Sequence, residues 1–176
     1  VITLCDLRSS RVEVAAALTA PFVQCLSFSP DGATLAAGDY NGLVNLWSMA
    51  DYSPGATLGG FANPVYAVAF SPDGAWLAAS SNRSVRVWRT ADLTLVDQLQ
   101  GHAGPIHSLG FSPDSQTLAT ASEDRSVRFW RVSDWSALPR QLEHRAGVAS
   151  VAYSPDGSTL AAGCHDGRLY LWRVAV

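Results

Sequence analysis

Bulky and small side chains alternate in short runs along this chain, and one polar corner cuts those runs at regular intervals. Leu26 and Phe28, Val68 and Phe70, Leu109 and Phe111, and Val151 and Tyr153 stand two residues apart, so each pair shares one face of an extended strand. The intervening positions are small: Cys25 and Ser27, Ala67 and Ala69, Ser108 and Gly110, Ser150 and Ala152. Neither face is charged, which predicts an innermost strand covered by protein on both sides, most closely on the small one. Each run ends in Phe-Ser-Pro-Asp-Gly or a close variant, at 28–32, 70–74, 111–115 and 153–157, copies that lie 41 or 42 residues apart. Ser accepts turn hydrogen bonds, Pro presets the second turn position, Asp suits the third and Gly takes the left-handed conformation. The corner is therefore predicted to close a hairpin, not to cradle a phosphate or supply a catalytic acid. In the third copy Ser115 replaces Gly, at a cost on the order of 1 kcal/mol if that site is left-handed.

After each corner comes a second strand ("TLAAG", "WLAAS", "TLATA", "TLAAG"), then a turn carrying Asn41, Asn82, Asp124 or Asp166, each six residues before a tryptophan. The third strand ends at Trp47, Trp88, Trp130 or Trp172, and a less regular fourth lies in "TLVDQL" and "PRQLEH". Stretch "VITLC" reads as a third strand and "VEVAAAL" as a fourth, while nothing resembling a fourth strand follows Trp172. The expected count is two strands, then three sets of four, then three. Four-stranded units of this length cannot cover their own faces and stack on copies of themselves, radially in the most economical arrangement.

These residues resemble the WD-repeat (WD40) β-propeller family over nearly the whole chain. The copy "LQGHAGPIHSLGFSPDSQTLATASEDRSVRFW" carries the resemblance best, with Gly101-His102 at its start and Phe129-Trp130 at its end. The resemblance implies an all-β fold: a propeller segment of about four blades of four-stranded antiparallel sheets, incomplete as a ring. It divides the chain into a partial blade at 1–18 and repeats at 19–60, 61–101, 102–143 and 144–176, the last without its outer strand. A fragment of a longer propeller is expected, with ring-completing association of chains as the alternative. The resemblance also implies a structural tetrad of His102, Ser122, Asp124 and Trp130. The other copies depart from it, with Thr19 and Asn41 in the first, Phe61 and Asn82 in the second, and Cys164 beside His144, Asp166 and Trp172 in the fourth.

Composition changes the picture little. The net charge is -3 and every basic residue is Arg, so no broad basic face or Lys-rich tail points to nucleic acid. No apolar run is long enough to span a bilayer, no membrane partner is expected, and the cytoplasm is the default location. Cys5, Cys25 and Cys164 are odd in number and widely spaced, which fits reduced thiols in strands. In "CHDG" at 164–167 three consecutive side chains point in alternating directions and cannot converge as a catalytic relay. No metal-ligand cluster, phosphate loop or cofactor motif is visible, and the chain is expected not to be an enzyme.

A propeller holds a ring of loops on a rigid scaffold, and loops so placed carry function. The family resemblance implies partner contacts on the top face, formed by the loop before each innermost strand and the turn between its second and third strands. The positions there are Phe22, Gln24, Tyr40, Tyr66, His107, Glu123 and His165, with the aromatic anchors Phe22, Tyr40 and Tyr66 in the first two blades. A protein or peptide is the expected partner. The alternative is a nucleic acid or phospho-ligand held by Arg83, Arg86, Arg125 and Arg128 on the blade surfaces.

Overall fold

The computed structural model describes residues 2–6, 13–18 and 22–174, all strands and turns without a helix. Thr19 lies outside the described residues, as does the side chain of Cys5. Among the described residues, seventeen strands form five antiparallel sheets. β1 (Ile2–Asp6) pairs with β2 (Glu13–Leu18) in a two-stranded sheet. Three four-stranded sheets follow: β3 (Val23–Phe28), β4 (Thr34–Asp39), β5 (Val44–Ser48) and β6 (Pro54–Leu58); β7 (Val65–Phe70), β8 (Trp76–Ser81), β9 (Ser84–Arg89) and β10 (Leu95–Gln100); β11 (Ile106–Phe111), β12 (Thr117–Ser122), β13 (Ser126–Arg131) and β14 (Ala137–Glu143). The last sheet holds β15 (Val148–Tyr153), β16 (Thr159–Cys164) and β17 (Leu169–Arg173). Strands sit in each sheet in sequence order, and the first strands of successive blades stand side by side, β3 against β7, β7 against β11 and β11 against β15.

The core lies between blades. Ile106, Leu109 and Phe111 of β11 pack on Ala78, Val85 and Val87 of the preceding sheet. Val148 and Val151 of β15 pack likewise on Ala119, Val127 and Phe129, and Val65 and Val68 of β7 on Ala36, Val44 and Leu46. Leu35, Leu77, Leu118 and Leu160 occupy one register position of the second strand in each blade and are all fully buried. Removing such a side chain costs about 2–5 kcal/mol. The small face of the innermost strand is small because the next blade's backbone comes close. Ser27 Oγ accepts from Phe70 N at 3.3 Å, Ser108 Oγ accepts from Val151 N at 3.1 Å, and a Cβ on Gly110 would meet Val151 O at 3.6 Å; on the second strand, a Cβ on Gly38 would collide with the Val65 side chain.

The two ends of the arc explain where cover on both sides fails. Leu26 and Phe28 of β3 are 50% and 55% exposed, and Leu169 and Leu171 of β17 are each 68% exposed, so the arc of described sheets is open.

The polar corners line one rim. In each, the first Ser accepts from a backbone N–H five residues on at 2.9 Å and donates to the Asp carboxylate, which accepts in turn from an N–H two residues beyond it at 3.0 Å; Ser29, Ser71, Ser112 and Ser154 do this alike. The Ser154 hydroxyl, helped by Ser158, holds the Asp156 carboxyl down at about 2. Ser115 is left-handed at φ 60, the conformation expected to be strained. It is also buried, and its hydroxyl accepts the Asp73 N–H of the neighbouring corner at 3.0 Å, a contact that Gly could not make. Neighbouring corners touch elsewhere too: a Cβ on Gly74 would meet Pro30 at 3.3 Å and one on Gly157 would meet Pro113 at 3.7 Å.

Candidate functional site

Antiparallel topology sends the opposite strand ends to the other rim, where hydrogen bonds tie two loops of each blade together, backbone to backbone in all but the second. Tyr40 N donates to Phe22 O, Glu123 N to Pro105 O and His165 N to Gly147 O, so the turn between second and third strands is pinned to the segment entering the innermost strand. In the second blade the turn is a two-residue hairpin, since Ser81 pairs with Ser84 and Asn82 is left-handed at φ 50. There Ser81 Oγ makes the corresponding link, donating to Asn63 O at 2.8 Å.

Side chains on this rim form two groups. Phe22, 75% exposed, meets Tyr40, 61% exposed, edge to face at 6.5 Å, and Gln24 lies beside them, its amide donating to Phe22 O at 3.4 Å. Further round, the Tyr66 ring stands 5.7 Å from that of His107, which stands 5.7 Å from that of His165. Glu123 lies between the two histidines: its Oε2 is 3.2 Å from His107 Nε2 and 3.0 Å from His165 Nε2. Sequence reading expects no metal-type cluster, yet His107, Glu123 and His165 converge here from three separate segments, with ligand atoms all within 4.8 Å of one another. Their separations of 16 and 42 residues form no local motif; only the 42-residue blade spacing between Glu123 and His165 hints that both top the same rim.

Beneath the rim the third blade holds a buried polar relay. Trp130 Nε1 donates to Thr120 Oγ1 at 3.1 Å, Thr120 Oγ1 lies 2.7 Å from His102 Nε2, and His102 Nδ1 lies 2.8 Å from Asp124 Oδ2. One direction of donation satisfies every atom: indole to hydroxyl, hydroxyl to imidazole, imidazole Nδ1–H to carboxylate. Burial pushes the His102 ring below its usual pKa despite the Asp124 charge beside it, which keeps the ring in the neutral form this direction requires. Burial also works to raise the Asp124 carboxyl, but hydrogen bonds from Ser126, His102 and the Ala103 N–H outweigh it and hold it at about 2.

The expected Ser122 is not the hydroxyl of this relay. Leu118 lies directly opposite Trp130 on the adjacent strand, Thr120 is one same-face step further and Ser122 two. Each step is about 7 Å, so only Thr120 comes within reach of the indole. Ser122 Oγ instead accepts from Asp124 N at 3.1 Å and donates to Gly104 O at 3.0 Å, bracing the rim loops.

The other blades vary the same position. In the fourth, Ala162 takes the place of Thr120 and Trp172 Nε1 bonds His144 Nε2 directly at 3.3 Å; buried Cys164 is at the Ser122 position, not in the relay. In the second, Phe61 replaces His and packs edge-on against Trp88 at 6.1 Å, with the Arg86 guanidinium over its ring at 4.8 Å and bonded to Gly59 O at 2.7 Å. In the first, the buried Asp39 carboxylate accepts from Asn41 N, Leu43 N and Asn45 Nδ2. In "CHDG" the three side chains diverge: Cys164 is buried, with burial raising its thiol, His165 turns to Glu123, and Asp166 accepts from Arg168 N. The Cys25 thiol, against Val65 O, is pushed up by burial to about 11 and is no nucleophile.

The family model described as "WD domain, G-beta repeat" matches residues 14–48, 52–89, 93–131 and 137–173, most of the chain. The chain belongs to the WD40 repeat family. Each matched WD40 unit takes the outer strand of one sheet with the three inner strands of the next, as in 52–89, which covers β6 to β9. Among relatives, the chain is 39% identical over 83 residues to WD repeat-containing protein SL1-17 of Schistosoma mansoni, covering 46% of this chain and 27% of that protein. It is 34% identical over 65 residues to the small ribosomal subunit protein RACK1 of Candida albicans, covering 37% of this chain and 20% of that protein. The match thus spans about a quarter of the length of these curated relatives. A solved WD40-type structure titled "Structure of U3-55K" superposes with a TM-score of 0.80 at 22% identity, covering 87% of this chain and 49% of that one, and shows the shared fold.

Proposed function

We propose that this WD40 segment is a non-catalytic scaffold that captures a protein or peptide partner on the rim carrying Phe22, Gln24, Tyr40, Tyr66, His107, Glu123 and His165. The observation that carries the reading is the exposed Phe22–Tyr40 pair, two large aromatic side chains held edge to face on loops whose backbones are bonded together. Aromatic anchors on a preorganised backbone lose little freedom on binding, the usual make-up of an interface hot spot. The kinship supports the same class of role, since one relative is by name a component of the ribosomal small subunit. No helix among the described residues is long and apolar enough to cross a membrane.

The alternative, phosphate or nucleic acid gripped by blade-surface arginines, draws less support. Arg86 is already committed to Gly59 O and the Phe61 ring, and a Cβ on Gly101 would meet the Arg128 guanidinium at 3.2 Å, so Arg128 lies folded against its own chain. Of the four, Arg83 and Arg125 are exposed and Arg86 and Arg128 are half-buried. Affinity capture with the Phe22→Ala/Tyr40→Ala/Tyr66→Ala variant tests the scaffold reading. Loss of partner with an unchanged circular dichroism spectrum is expected; undiminished capture, or capture abolished by moderate salt and by Arg83→Ala/Arg125→Ala instead, overturns it.

A further inference from the structure

We propose that His107, Glu123 and His165 form a binding site for one zinc ion on the rim between the third and fourth blades, with its remaining coordination position open to solvent.

The donors are two imidazole nitrogens and one carboxylate, a set that suits zinc and similar borderline divalent ions better than calcium or magnesium, which take mainly oxygen. Bond lengths of about 2.0–2.2 Å at a tetrahedral centre place neighbouring ligand atoms about 3.4 Å apart. The two nitrogens already lie 3.2 and 3.0 Å from Glu123 Oε2, and all three atoms fall within 4.8 Å. Small rotations of side chains that are 30%, 50% and 50% exposed suffice to close the set around an ion.

The backbone is arranged before any ion arrives. His107 sits within β11, Glu123 N is bonded to Pro105 O, and His165 N is bonded to Gly147 O at 2.9 Å. Gly147 packs against the carboxylate so closely that a Cβ there would lie 2.8 Å from Glu123 Cδ. The space that orients Glu123 toward the histidines thus exists because residue 147 has no side chain. The Tyr66 ring also packs edge to face against His107, at 5.7 Å. Three protein ligands leave a fourth position for water or for a histidine or carboxylate of a bound protein, so the ion would sit within the rim already proposed for partners. The metal site rests on the cluster's own geometry and needs no partner to be tested.

The test is calorimetric titration of the metal-stripped full chain with zinc chloride under a phosphine reductant, repeated by cobalt(II) absorption to read coordination number. One equivalent is expected to bind, with the spectrum of a four- or five-coordinate ion. His107→Ala/His165→Ala is expected to abolish binding, and Glu123→Gln to weaken it about tenfold or more. Gly147→Ala, which moves only the carboxylate, is expected to weaken it with an unchanged melting temperature. Cys164→Ser, the nearest thiol control, is expected to bind as wild type does. No saturable binding, binding retained by the double histidine variant, or binding lost in Cys164→Ser overturns the site. None of these results touches partner capture through Phe22 and Tyr40, which is measured separately.

Discussion

Replacing Thr120 with valine isolates the buried relay, because it removes one hydroxyl and keeps the side chain's shape. Thr120 is fully buried, and His102 and Trp130 are 5% and 4% exposed, so water does not reach the atoms it serves. The substitution leaves Trp130 Nε1–H without an acceptor and His102 Nε2 without a donor, partners now at 3.1 and 2.7 Å. Each buried group left unpaired costs about 1–3 kcal/mol, and partial relaxation brings the sum to about 2–4 kcal/mol. For a chain of this size that lowers the melting temperature by roughly 4–16 °C. Thr120→Ser keeps the hydroxyl and should recover most of the loss. Thr120→Ala should cost less than valine, since the fourth blade shows a tryptophan reaching its histidine directly where Ala162 leaves room. Ser122→Ala should cost about 1 kcal/mol, the worth of ordinary hydrogen bonds beside solvent-accessible loops. The assay is thermal unfolding followed by circular dichroism at neutral pH. A valine variant within about 0.5 kcal/mol of wild type, with the larger loss in Ser122→Ala, would refute the relay as drawn.

Three further outcomes follow from the same contacts. Ser115→Ala keeps the left-handed backbone and loses the bond to Asp73 N, so it should destabilise by about 1–2 kcal/mol, while Ser115→Gly relieves strain as it loses the bond and should be near neutral in urea unfolding. Burial holds the His102 pKa below its usual 6.5, so its contribution is whole above that pH and fades as pH falls below it; Asp124, held at about 2 against 3.8, contributes fully above 3.8 and loses it toward 2. The urea midpoint should therefore drop on acidification, with His102→Gln flattening the upper part of the curve and Asp124→Asn the lower; unchanged curves would contradict the assignment. Gly38→Ala would press a methyl into Val65 and Cys25 at the contact between the first two blades and should cost about 1–3 kcal/mol, read as an early melting phase at those blades.

Much of this architecture was legible because each blade repeats one physical solution. The Ser-Pro-Asp corners, the tryptophan six residues past the turn and the bulky-small alternation of β3, β7, β11 and β15 each state a local rule that tertiary contacts reinforce. Register was not legible in the same way. Thr120 and Ser122 share a face and carry the same chemistry, and only the pairing of Leu118 with Trp130 decides which one the indole meets. The convergence of His107, Glu123 and His165 depends on how far successive blades rotate past one another, a quantity no single repeat encodes. Arg86 read as a free surface charge because its acceptor, Gly59 O, belongs to a loop 27 residues away.

One rim, and not the corners or the blade sides, is proposed to receive the partner. Site-specific photo-crosslinking measures this directly, with a photoreactive phenylalanine placed at Tyr40 or Tyr66 on that rim, and at Asp31 or Asp156 in the corners of the opposite one. A discrete crosslinked partner is expected from positions 40 and 66 and none from 31 and 156. The same adduct formed from the corner positions, with the rim positions silent, would contradict it.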